Sequence, residues 1–165
     1  MSWYVLYTKS RNEKKVAKRL EEKGVTVYCP LKEEVKQWSD RKKKVAEPVF
    51  RSYVFVKLKD YQKESVEILY TPGTVRFLWW NNKPGIVREY EIEAIKSFLN
   101  DYKDAEITIE LKEGEKIVVN EGPLKDAKGK VLMIQGNKAV LHLHTLGLNM
   151  TAKLPLQSLS KTDTN

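Results

Sequence analysis

Gly114 to Val131 constrains the fold of this chain more than any other stretch. Lys116-Ile117-Val118-Val119-Asn120 reads as a β-run and Gly122-Pro123 as a corner. A short polar excursion closed by Gly129 follows, and a second β-run starts near Val131. Glycine suits both corners because each asks for backbone angles that a Cβ obstructs. Pro123 fits the corner, where no ladder N–H is required of it. That second run spans Lys130–Ile134, and further β-runs follow at Lys138–His144 and Asn149–Leu154, with Gly136-Asn137 as a tight turn after Ile134. Residues 107–165 are therefore expected to form a small all-β barrel of about five strands.

The first hundred residues carry a different pattern. Trp3 to Thr8 is β-rich with neither face polar, as in a central strand covered by other elements. Ser10-Arg11-Asn12-Glu13 matches a capping box, and a helix over about Asn12–Lys23 places Val16, Ala17 and Leu20 on one stripe before Gly24 stops it. Val25–Cys29 reads as a strand ended by Pro30. Val35–Trp38 and Val45–Phe50 flank the polar tip Ser39-Asp40-Arg41-Lys42-Lys43-Lys44 as an extended hairpin. Tyr53–Leu58 is a strongly marked strand. A helix from Asp60 carries Val66 and Leu69 and ends at Pro72-Gly73. Val75–Trp80, a turn at Asn81–Gly85 and Ile86-Val87 read as strand, loop, strand. A last helix over about Glu89–Asn100 buries Ile92, Ile95 and Leu99. This order predicts an α+β fold, an antiparallel sheet flanked by helices, over residues 1–100. The polar stretch 101–106 is read as a linker to the barrel at 107–165.

Charge is placed unevenly. The formal net charge is +8, and residues 1–60 alone hold 16 Lys/Arg against 8 Asp/Glu. The excess sits in the first third, which points to a polyanion-facing surface or to solubility. No apolar run approaches the roughly 20 residues of a membrane span. The N-terminus lacks the basic head and apolar middle of a signal peptide. One cysteine, Cys29, leaves no internal disulfide and no cysteine-built zinc cage. A cytoplasmic protein without a membrane role is expected. His142 and His144 share a strand face, but no third ligand accompanies them and they read as surface residues. No nucleophile–base arrangement, P-loop or carboxylate pair stands out, so neither an enzyme nor a cofactor or metal site is expected.

The Gly114–Val131 hairpin resembles the KOW motif of ribosomal proteins and of NusG-type transcription elongation factors. The N-terminal region is similar to the NGN domain of the same family. Trp3-Tyr4-Val5 resembles its opening strand, Arg11–Leu20 its first helix, and Phe50-Arg51-Ser52-Tyr53-Val54-Phe55-Val56 its aromatic segment. In that segment Arg51-Ser52 replaces the usual Pro-Gly or Pro-Asn. Arg76-Phe77-Leu78 and Lys83-Pro84-Gly85-Ile86-Val87 also match. Trp79-Trp80, where housekeeping members have glycines, looks more like specialised RfaH-like or UpxY-like paralogues. The resemblance implies a ferredoxin-like NGN domain followed by an SH3-like KOW barrel in a monomeric, non-catalytic factor. It implies that the N-terminal domain binds RNA polymerase at the β′ clamp helices and the β gate loop, reducing pausing or termination. It also implies that the KOW domain recruits the ribosome through the protein NusE, or Rho.

Site residues are weighed on that basis. Phe50 and Tyr53 are candidates for an aromatic polymerase contact, because ring burial is large and costs little entropy; Phe55 reads as core. Tyr70 and Thr71 take the gate-loop position by resemblance alone. Arg11, Lys14, Lys15, Lys18 and Arg19 lie off the apolar stripe of the first helix, and a solvated face and contact with the displaced non-template strand weigh equally. Arg41–Lys44 read as a solvated hairpin tip, with nucleic-acid contact as the alternative. Of Trp79 and Trp80, one is expected in the core and one exposed. Leu146 and Leu148, in an apolar connection beside Gly147, are the candidate partner contact of the KOW domain. The rival from another class is a KOW-bearing RNA-binding or ribosome-associated protein that does not act on polymerase.

Overall fold

A computed structural model of the chain describes residues 1–111, 124–127, 130–135, 137–143 and 146–153. It divides into two compact units, Met1–Glu89 and Tyr90–Asn165.

The first unit is built on one antiparallel sheet. β1 (Ser2–Thr8) lies between β5 (Tyr53–Leu58) and β6 (Thr74–Phe77), and β2 (Thr26–Tyr28) adds to the far side of β5. The short β9 (Ile86–Val87) also pairs with β1, setting Trp3 opposite Val87. The expectation of a covered central strand holds: Val5 and Leu6 point to opposite faces and both are fully buried. One sheet face carries Leu6, Val54, Val56, Leu58 and Phe77. It packs with Val16, Ala17 and Leu20 of α1 (Glu13–Glu22) and with Ile68 of α2 (Tyr61–Leu69). Burying one such aliphatic side chain contributes about 1.5–3 kcal/mol.

Helix ends follow local rules with two departures. α1 stops where Gly24, at φ +83°, closes a Schellman motif: its N–H bonds Glu21 O and the Val25 N–H reaches Leu20 O. The expected capping box is replaced at the other end. Asn12 caps without a side-chain hydrogen bond, and Glu13 is the first helical residue. α2 is capped by the Asp60 carboxylate, which accepts from Lys63 N. Its buried residues are Ser65 and Ile68, while Val66 and Leu69 are exposed, so the expected stripe is rotated.

Two hairpins depart from the main sheet. Among the described strands, β3 (Leu31–Trp38) and β4 (Arg41–Pro48) pair with one another and with no other, in unbroken register from Leu31↔Pro48 to Trp38↔Arg41. The turn is Ser39-Asp40 alone, so Arg41–Lys44 are strand residues and not a tip. β7 (Trp79–Trp80) and β8 (Lys83–Pro84) are joined through Asn81 and Asn82, both at positive φ as a type I′ turn requires.

The second unit contains α3 (Glu89–Asp101) from its second residue on, and a five-stranded antiparallel sheet in the order β10-β14-β13-β12-β11. The strands are β10 (Glu106–Leu111), β11 (Leu124–Ala127), β12 (Lys130–Gln135), β13 (Lys138–Leu143) and β14 (Leu148–Lys153). α3 buries Phe98 beside Ile92 and Ile95, where Leu99 was expected to be buried and is half-buried. β10 begins inside the expected linker, and β11 occupies the expected polar excursion. Glu106-Ile107-Thr108-Ile109-Glu110-Leu111 alternates polar and apolar residues as a half-buried strand does, whereas Leu124-Lys125-Asp126-Ala127 carries no such alternation and is a strand through its pairing with β12. The central strands β13 and β14 bury residues on both faces: Ala139, Leu141, Leu143, Leu148, Met150 and Ala152 on one, and Val140, Asn149 and Thr151 on the other. The expected strand Lys116–Asn120 and the Gly122-Pro123 and Gly129 corners lie outside the described residues.

Candidate functional site

The aromatic segment after β4 is a strained turn held by one carboxylate. Ser52 sits at φ +65° and Arg11, across from it, at φ +64°. Left-handed backbone is unfavourable for any residue with a Cβ, and it persists where surrounding structure over-determines it. Here Glu13 does so. Its side chain is buried, and one oxygen accepts from Ser52 N at 2.9 Å and from Arg11 N at 3.2 Å. The Ser52 carbonyl in turn accepts from Thr8 N at 2.9 Å, tying the turn to β1. Ser52 thus adopts the backbone that a glycine or asparagine would take more readily.

This turn assembles an aromatic set. Phe50 is 2% exposed, stacks with Tyr53 at 6.3 Å between centroids and meets Phe55 edge-on at 5.5 Å. Tyr53 lies opposite Tyr7 in the β1–β5 ladder, with ring centroids 4.9 Å apart. The Arg76 guanidinium stands 5.0 Å over the Tyr7 ring. Burial, followed by a hydrogen bond to Tyr7, pushes the Tyr53 phenol up to about 12. Phe50 was expected to offer its ring to a partner; it is buried and backs Tyr53 instead. The half-buried rings here are Tyr53 and Tyr7, beside the exposed Arg76. No local pattern marks Tyr7 or Arg76 for this site, because they join Tyr53 only through strand register.

Tyr70 and Thr71 occupy a separate turn between α2 and β6. Tyr70 is 82% exposed, whereas Thr71 is buried and its hydroxyl accepts from Lys23 Nζ at 3.0 Å. Thr71 therefore holds the turn and does not present a contact. Arg19 donates to the Pro72 carbonyl of the same turn at 2.7 Å. Lys14 Nζ donates to Ala46 O on β4 at 2.8 Å. Of the five basic residues on and before α1, two are thus engaged in internal ties. Arg11, Lys15 and Lys18 are exposed.

Of the two adjacent indoles, Trp79 is 51% exposed with its Nε1–H donating to Tyr61 Oη at 3.1 Å. Trp80 is half-buried against Gly85, where an added Cβ would come to 2.3 Å from its ring. In the second unit, Leu148 opens β14 opposite Leu143 and Leu111 and is buried, so it is a core residue and not a loop contact. Leu146 is half-buried in the turn before it. His142 Nδ1 lies 2.9 Å from Asn149 Oδ1, and His144 lies outside the described residues. Among the described residues there is no cluster of three metal-ligating side chains, and no helix long and apolar enough to cross a membrane.

The family model described as "Transcription termination factor nusG" matches residues 1–96, more than half of the chain. The chain belongs to the NusG family. It is therefore a transcription termination/antitermination factor and not an enzyme. It is 28% identical over 155 residues to the transcription termination/antitermination protein NusG of Halalkalibacterium halodurans, covering 87% of each chain. It is likewise 28% identical over 148 residues to the NusG of Staphylococcus carnosus, covering 82% of this chain and 81% of that protein. Among solved structures it is similar to Thermotoga maritima NusG, with a TM-score of 0.53 at 20% identity over 93% of this chain and 92% of that one. That likeness speaks for the NusG-like α+β fold.

Proposed function

We propose that residues 1–100 bind RNA polymerase through the Phe50–Tyr53 turn and thereby reduce pausing or termination in the cytoplasm. The observation that carries this is the Tyr53–Tyr7 pair, partly open to solvent and backed by the buried Phe50 and Phe55. Aromatic anchors with rigid support suit a helical partner such as the β′ clamp helices, since binding them costs little entropy. Tyr70, exposed at the α2 C-cap, is a second contact for the β gate loop. Arg11, Lys15 and Lys18 face the non-template strand, where mobile cations suffice for phosphate contact. Residues 107–165 form the KOW barrel, which recruits NusE or Rho with Leu146 at its edge, and residues 101–106 join the two parts. The factor acts as a monomer, and Trp79-Trp80 favours a specialised RfaH-like or UpxY-like role.

Binding of fluorescently labelled chain to core RNA polymerase tests the first step. Tyr53→Ala is expected to lose most of its affinity, about 2 kcal/mol or more, while keeping its circular dichroism. Full affinity in a folded Tyr53→Ala protein would refute the aromatic contact.

A further inference from the structure

The β3–β4 hairpin has no structural reason to be as long as it is. Eight residues per strand reach roughly 27 Å at ordinary strand rise. Neither strand pairs with any other described strand, and every described side chain from Glu33 to Lys44 is exposed. Side chains alternate across a ribbon, so both of its faces meet solvent. A lone two-stranded ribbon is marginal in water, and the described side chains of this one add no core along its distal half.

Its charge is polarised along its length. Between Val35 and Val45 stand Lys36, Arg41, Lys42, Lys43 and Lys44 against the single acid Asp40. The acids Glu33, Glu34 and Glu47 sit at the base. Register sets Lys36 directly opposite Lys43, an unfavourable like-charge pair that a chain selected for ribbon stability alone would avoid. Lys36 is partly answered by Glu47 at 2.9 Å. The base is fastened to α1 by the Lys14–Ala46 hydrogen bond. Hydrogen bonding from Lys36, with Lys14 and Arg11 nearby, lowers the Glu47 carboxyl below its ordinary range. The ribbon cations therefore continue the basic side of α1.

From this geometry we infer that the distal half of the β3–β4 ribbon is an arm that binds double-stranded DNA by lying in its major groove, with Arg41–Lys44 on the flanking phosphates. A two-stranded ribbon matches the width of the B-form major groove, about 12 Å, whereas the deep, narrow major groove of A-form RNA excludes it. The site is distinct from the α1 contact with single-stranded DNA proposed above and does not depend on it.

The test is fluorescence anisotropy of the full chain with a mixed-sequence DNA duplex, the same sequence single-stranded, and the corresponding RNA duplex, each across a salt series. The variant R41Q/K42Q/K43Q/K44Q keeps the ribbon register, and its fold is checked by tryptophan fluorescence. Expected is a duplex-DNA salt slope shallower by about 3.6, at roughly 0.9 for each of the four phosphates left without its cation, and an affinity loss of about 10²-fold or more at 0.1 M salt. Single-strand binding should be little changed. K15Q/K18Q should show the reverse pattern; if it leaves single-strand binding intact, the α1 contact fails while the ribbon arm stands. An unchanged duplex slope in the ribbon variant, or equal losses on duplex DNA, single strand and RNA duplex, would overturn the arm.

Discussion

Removing the Glu13 carboxylate should loosen the whole aromatic turn. In Glu13→Ala, the N–H groups of Arg11 and Ser52 lose a charged acceptor at 3.2 and 2.9 Å. Hydrogen bonds to charged groups contribute about 1.5–3 kcal/mol each. Arg11 is exposed and its N–H recovers water, so most of the loss falls on the half-buried Ser52. Relief from desolvating a carboxylate that is only 5% exposed offsets part of that loss. A net cost of about 2 kcal/mol follows. Glu13→Gln keeps an oxygen that can accept from both donors and should cost about half as much. Ser52→Gly alone should stabilise by about 1 kcal/mol, because glycine takes the left-handed angle without strain. The two changes meet at one hydrogen bond, so Glu13→Ala/Ser52→Gly should fall short of additivity by about 0.5 kcal/mol or more. All four tryptophans lie in the first unit, so urea titration followed by tryptophan fluorescence reports on that unit alone. A Glu13→Ala protein within about 0.5 kcal/mol of the parent would refute the clamp.

Two glycines with positive φ should separate backbone strain from crowding. Gly24→Ala meets open space and should cost about 1 kcal/mol, while Gly73→Ala also drives a Cβ to 2.8 Å from Val16 Cγ2 and should cost at least twice as much by the same titration. Gly85→Ala must push the Trp80 ring aside, which predicts a red-shifted emission spectrum with secondary structure retained. The Tyr53 phenol, raised to about 12 from an ordinary value near 10, adds stability that is complete below pH 10 and is lost as pH rises towards 12. Tyr53→Phe should therefore flatten stability against pH between 10 and 12, and an unaltered profile would show that the phenol is not held.

Apolar periodicity was enough to place β1, α1, β5 and β13, because each buries a face or stripe whose spacing is set by its own backbone geometry. Gly24 ended α1 for an equally local reason, the need for a left-handed C′ residue. The resemblance at Trp3-Tyr4-Val5 and Phe50–Val56 identified the family before any fold was known. Other features needed the tertiary structure because they depend on what lies opposite. β11 is a strand by virtue of its partner β12. Phe50 and Leu148 are buried, and Val66 and Leu69 exposed, according to which neighbours cover them. The single carboxylate of Glu13 joins two left-handed residues far apart in the chain, Arg11 and Ser52, and no local pattern records such a pairing. Arg41–Lys44 read as a loop because four consecutive cations carry no strand signal; cross-strand register with Val35–Trp38 turns them into one side of a ribbon. Spacing within the chain fixes what a residue's own backbone requires, and long-range pairing decides which side chains end up together.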